Sequence, residues 1–77
     1  MEISPNPAVN ETRVFANEPI LSVEMYDLHG RLVWQRAGLN ASEVLVQKEN
    51  LPSGVYLLKA HFARGVGVGK VIWEFGR

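Results

Sequence analysis

The chain has 77 residues, no cysteine, and a formal net charge of zero from eight basic and eight acidic side chains. That balance argues against a nucleic-acid binder, which needs a basic face to displace counterions from phosphates; the missing thiols exclude disulfides and thiolate metal sites and leave the redox compartment open. Apolar residues make up 47% of the chain, enough for one compact core at this length, and no apolar run approaches the roughly 18 residues of a membrane span.

Met1 is followed by Glu2 and by no apolar leader, so the expectation is a piece of a longer protein without its own export signal. The opening "ISPNPA" carries Pro5 and Pro7, each of which fixes its own φ and pushes the preceding residue to extended geometry. It reads as an extended lead-in or edge segment. "TRVFA" (12–16) is a short strand. "ILSVEMY" (20–26) alternates, with Leu21, Val23 and Met25 on one face and Ser22 and Glu24 on the other, the period of a half-buried strand.

"DLHG" (27–30) is a turn in which the Asp27 carboxylate can cap backbone N–H groups and Gly30 can take positive φ. "RLVWQR" (31–36) returns as the hairpin partner, with Leu32 and Trp34 competing with Val33 for the inward face. "AGLNAS" (37–42) is a loop, and "EVLVQ" (43–47) a strand with Val44 and Val46 inward. "NLPSG" (50–54) is a second turn, with Pro52 suited to the i+1 position and Gly54 following it. "VYLLKAHF" (55–62) puts Tyr56, Leu58, Ala60 and Phe62 on one face and Lys59 and His61 on the other. "ARGVGVG" (63–69) is predicted to be a glycine-rich turn, and "KVIWEF" (70–75) the last strand, with Val71 and Trp73 sharing a face. No stretch has a helical period. Short strands at this spacing predict an all-β fold, an immunoglobulin-like antiparallel β-sandwich of about seven strands.

Few residues are equipped for chemistry. Asp27 is the only aspartate, and the glutamates are scattered. His29 and His61 have no ligand spacing around them, so solvated histidines are expected and no metal or cofactor. No serine sits in a glycine-flanked elbow. "GVGVG" (65–69) lacks the following helix and the Lys-Ser/Thr pair of a phosphate loop. Asn10 and Asn40 begin N-x-S/T triplets, which places both in surface loops. Trp34 and Trp73 would form a sugar platform if exposed, but core packing is the commoner use of aromatics in a small sandwich.

Four stretches, in order, resemble the C-terminal sorting domain of the type IX (Por) secretion system, of the type A kind: "SPNPA" (4–8), "SVEMYDLHGRLV" (22–33), "NLPSGVYLLKA" (50–60) and "GKVIWE" (69–74). Their motif residues here are Pro5, Asn6 and Pro7; Tyr26, Asp27, Gly30 and Arg31; and Leu51, Gly54 and Tyr56. Lys48 and Glu49 depart from the family, which often has a further apolar strand residue there, and so does the "WEFGR" ending.

The resemblance implies a single sorting domain over 1–77 at the C-terminus of a secreted or surface protein. It implies an address label and no enzyme. Cargo would cross the periplasm, and the translocon and its outer-membrane shuttle protein would read the folded domain, without direct membrane insertion. A sortase-like protease would then remove it, with the cargo released or joined to a lipopolysaccharide anchor. The expected reading surface is Lys70, Val71, Ile72, Trp73, Glu74 and Phe75, taken as a strand behind a glycine hinge whose free edge a partner strand could extend. The same strand could exchange between two copies, giving a strand-swapped homodimer. The rival reading is an accessory β-sandwich that binds carbohydrate or protein for a neighbouring enzyme.

Overall fold

The computed structural model describes residues 1–75. They form seven strands: β1 (Glu2–Ser4), β2 (Glu11–Ile20), β3 (Ser22–Tyr26), β4 (Leu32–Arg36), β5 (Ala41–Gln47), β6 (Gly54–Phe62) and β7 (Gly65–Trp73). Two antiparallel sheets, β1-β2-β5 and β4-β3-β6-β7, pack face to face as an immunoglobulin-like sandwich. The alternation read from sequence determines which side chains enter the core. Val23 and Met25 from β3, Val44 and Val46 from β5, Tyr56, Leu58 and Ala60 from β6, and Val71 and Trp73 from β7 are all buried. Phe62 lies on the same side but at the margin, half-buried.

Other expectations are corrected. Residues 20–26 are not one strand: Ile20 ends β2 in the first sheet, and β3 starts at Ser22 in the second. Leu21, expected inward, is 39% exposed, while Ile20 is fully buried. The chain changes sheets between them, and the alternation phase is broken at the crossing. β2 also runs past residue 16, with a register shift between Phe15 and Ile20. The competition in β4 ends in a bulge. Met25 pairs with Trp34 and Tyr26 with Leu32, so Val33 is the extra residue, and both Val33 and Trp34 pack against the core.

The glycine-rich stretch is not a turn. The hairpin between β6 and β7 turns at Ala63–Arg64, with Phe62 opposite Gly65, and the glycines lie inside β7. They make room. A Cβ on Gly69 would sit 2.6 Å from Cδ1 of Ile3, and one on Gly67 would sit 3.2 Å from Sδ of Met1. The N-terminal residues of the opposite sheet therefore rest on a strip of β7 that carries no side chains. The last strand accordingly spans Gly65–Trp73, with Glu74 and Phe75 beyond it. Gly76 and Arg77, where the ending departs from the family, lie outside the described residues.

The second turn also lies earlier than expected. Its backbone hydrogen bond runs from Leu51 N–H to the Lys48 carbonyl (3.1 Å), with Glu49 at φ 54°. Pro52 serves differently: its carbonyl accepts the Tyr56 hydroxyl at 2.6 Å. That bond is the tyrosine-corner arrangement of immunoglobulin-like sandwiches.

Candidate functional site

The motif residues come from four separate stretches, and the strand register gathers them at one end of the four-stranded sheet. Tyr26 closes β3 opposite Leu57. Gly54 opens β6 opposite Trp73 at the end of β7. Ala8 forms a parallel bridge to the same Trp73. The turns 27–31 and 48–54 therefore lie at the end where β7 finishes.

The first turn is organised by one carboxylate. Asp27 Oδ1 accepts the N–H groups of His29 (2.9 Å) and Arg31 (3.0 Å), and Oδ2 accepts the Arg31 guanidinium at 2.8 Å. The Gly30 N–H bonds the Asp27 carbonyl at 3.0 Å, and Gly30 sits at φ 82°, where a side chain is strained. The Arg31 backbone N–H above all, then its guanidinium and the His29 N–H, hold the Asp27 carboxyl below its ordinary range. Leu51 packs against the core.

Residues 5–8 are a strap. The peptide bonds before Pro5 and Pro7 are both cis. The Pro5 carbonyl accepts the hydroxyl of fully buried Thr12 at 2.5 Å. Between the prolines, the Asn6 amide reaches the edge of β7. Its Nδ2 donates to the Lys70 carbonyl at 2.7 Å, and its Oδ1 accepts the Ile72 N–H at 3.0 Å. The Ala8 N–H then donates to the Ile72 carbonyl (2.9 Å), and its carbonyl accepts the Glu74 N–H (2.7 Å). One side-chain amide thus stands in for a residue of a neighbouring strand, and Ala8 continues the ladder. This corrects the expected free edge. From Lys70 to Glu74 the outer backbone groups of β7 are already bonded, and the strand pairs with β6 from Gly54↔Trp73 to Phe62↔Gly65. The other edge strands are β4 in this sheet and β1 and β5 in the three-stranded sheet. No sequence period signals the strap, because an asparagine between prolines reads as a turn.

Of the expected surface residues, Val71 and Trp73 face the core, Ile72 is half-buried, and Lys70, Glu74 and Phe75 are exposed. Neither tryptophan offers a sugar platform: Trp73 is 1% exposed, and Trp34 packs against the core. Asn10 and Asn40 are exposed and precede β2 and β5.

One cluster was not read from sequence. On the outer face of the four-stranded sheet, Glu24 Oε1 accepts the Tyr26 hydroxyl and lies against His61 Nε2, both at 2.9 Å. The hydrogen bond from His61, then that from Tyr26, lowers the Glu24 pKa; the same bond raises that of Tyr26. Lys59 Nζ stands 5.3 Å from the centre of the Tyr26 ring. The alternation put these side chains outward, but only the β3–β6 register makes them neighbours. Among the described residues no three His, Cys, Asp or Glu side chains converge on a metal-sized site.

The fold and the site together define a small all-β sandwich domain with its motif residues gathered at one end. The sequence model of the secretion system C-terminal sorting domain matches residues 2–74. The chain belongs to that family of type IX secretion signals, which direct export to the cell surface or the medium and are not enzymes. No curated protein matches it.

Proposed function

We propose that this chain is a type A sorting domain at the C-terminus of a longer secreted or surface protein. The type IX translocon and its outer-membrane shuttle protein read it in the folded state. A sortase-like protease then cuts ahead of it, and the cargo is released or joined to lipopolysaccharide. The observation that carries this reading is the gathering of all four family motifs at one end of the sheet, around the strand that holds the strap. A label shared by unrelated cargoes must carry its own fold and its own presented surface, and the motif residues build such an end.

The reading surface remains Lys70–Phe75, in a revised form. With the backbone edge bonded to Asn6 and Ala8, the outward side chains of Lys70 and Ile72 and the exposed Glu74 and Phe75 are what a partner meets first. Exchange of β7 between two copies, the route to a swapped dimer, requires the Ala63–Arg64 turn to open; sedimentation of the isolated chain tests it.

The decisive experiment fuses residues 2–77 behind a fluorescent protein carrying an export signal, in a bacterium with a working type IX system. Fluorescence at the surface or in the medium, lost in a translocon mutant, is the expected result. A folded fusion held in the periplasm refutes the sorting role in that host.

A further inference from the structure

The two outer faces of the sandwich differ in character. The three-stranded sheet turns out Glu2, Glu11, Arg13 and Glu43, all exposed, and Arg13 pairs with Glu43 at 2.6 Å. The outer face of the four-stranded sheet is mixed. Leu57 and Val68 are 41% and 56% exposed there, and a groove of about 380 Å³ opens beside Leu57, between Tyr26, Leu28 and Lys59.

The register orders this face in rows. Tyr26 lies opposite Leu57, and the row runs on to Leu32 in β4 and Lys70 in β7. In the next row Glu24 lies opposite Lys59, flanked by Gln35 and Val68. On the two central strands, an apolar pair thus sits beside a carboxylate–ammonium pair. The two charges balance, and neither is used up. Among the described residues Glu24 is hydrogen-bonded through Oε1 alone, to Tyr26 and His61. Lys59 makes no ion pair among them, and its Nζ stands over the Tyr26 ring.

We propose that this face packs against the same face of a second copy, in a weak symmetric dimer whose two-fold axis runs along the strands between β3 and β6. Stacked sheets lie ~10 Å apart with their strands within ~30° of each other. An axis along the strands keeps each row level with itself and exchanges β3 with β6. Each Tyr26 then faces the second copy's Leu57, and each Glu24 faces the second copy's Lys59, so both matches occur twice. Other axes lose this. Set over β6, the axis stacks Lys59 on Lys59; set over β3, it stacks Glu24 on Glu24. Turned across the strands between the two rows, it puts Leu57 on Lys59 and Tyr26 on Glu24. A partner of one charge sign is repelled by Glu24 or by Lys59, whereas a second copy on this axis meets the opposite charge at both.

Size sets the strength. Four strands ~4.8 Å apart, over the length of β6 from Val55 to His61 at ~3.4 Å a residue, give about 450 Å² per copy and about 900 Å² in all. That is the scale of a transient contact, so the chain is a monomer when dilute and pairs only when concentrated. No strand changes copies, which separates this dimer from exchange of β7, and the inference does not depend on the sorting reading.

The test follows amide chemical shifts and sedimentation equilibrium of the 77-residue chain from micromolar to low-millimolar concentration. Concentrating it should shift residues 22–26, 55–61 and 66–70 together and leave 11–15 and 41–47 unmoved. Glu24→Lys sets lysine against Lys59, and Lys59→Glu sets glutamate against Glu24, so each variant alone should self-associate about tenfold or more weakly. Mixed in equal amounts, the two should recover most of the association, because opposite charges then face each other at both places. Leu57→Lys, in the apolar row, should weaken pairing as much, and it decides the matter if a charge variant does not fold. Four outcomes overturn the proposal. One is no concentration dependence into the low-millimolar range. Another is a mixture of folded variants that pairs no better than either alone. A third is shifts confined to 32–36 or 41–47, which mean pairing at sheet edges. The last is a slowly formed dimer with shifts centred on Ala63–Arg64, which means strand exchange.

Discussion

Replacing Asn6 tests the strap most directly. Asn6→Ala removes the bonds to the Lys70 carbonyl and the Ile72 N–H. A net contribution of ~0.5–1.5 kcal/mol for each bond gives about 1–3 kcal/mol. Both are solvent-accessible and water can replace them in part, which favours the lower half, about 1–1.5 kcal/mol. A domain of this length has a stability of only about 4–12 kcal/mol, so the loss is readable as a shift in the urea midpoint. Asn6→Asp is the sharper variant. It keeps an acceptor for the Ile72 N–H but sets a carboxylate oxygen against the Lys70 carbonyl, so it should be no better than alanine despite its matched shape. Hydrogen exchange localises the effect: the Ile72 and Glu74 amides should exchange faster in Asn6→Ala, and the Leu58 amide in β6 much less so. Unchanged stability together with unchanged exchange at Ile72 would refute the strap as a device that holds the β7 edge.

Gly69→Val drives a side chain into Ile3, 2.6 Å from where its Cβ would stand; a loss of about 1–3 kcal/mol is expected, and Ile3→Ala in the same chain should recover part of it in a double-mutant cycle. Trp73 is buried with its indole N–H unpartnered. Trp73→Ala should therefore cost about 3–5 kcal/mol and Trp73→Phe markedly less, since no hydrogen bond is lost; equal losses in denaturant melts would contradict the packing. The folded-state pKa values of Glu24 and Asp27 are lowered, so their stabilisation is present above the unfolded carboxylate values of ~3.9–4.3 and is lost as pH falls through the lowered ones. The double variant Glu24→Gln with Asp27→Asn should show a flatter decline in stability below about pH 4 than the unmodified chain, measured by urea titration across the acid range.

Much of the fold is legible one strand at a time. Alternation identifies the core side chains of β3, β5 and β6, because a strand with one buried face must repeat every second residue. Asp27 and Gly30 announce a turn through local chemistry, and the turn forms as expected. The misreadings share a cause. Gly67 and Gly69 look like a loop until Met1 and Ile3 are laid against them from the opposite sheet. Leu21 looks inward until the chain is seen to change sheets beside it. Asn6 reaches backbone groups 64 and 66 residues away, and Glu24 meets His61 from 37 residues away. Periodicity and turn chemistry are local: they say which face of a strand is apolar and where the chain can reverse. They carry no information on which strand lies beside which, or on the register between them. The strap, the glycine strip and the outer-face contact of Glu24 with His61 depend on that pairing alone, so only the tertiary structure decides them.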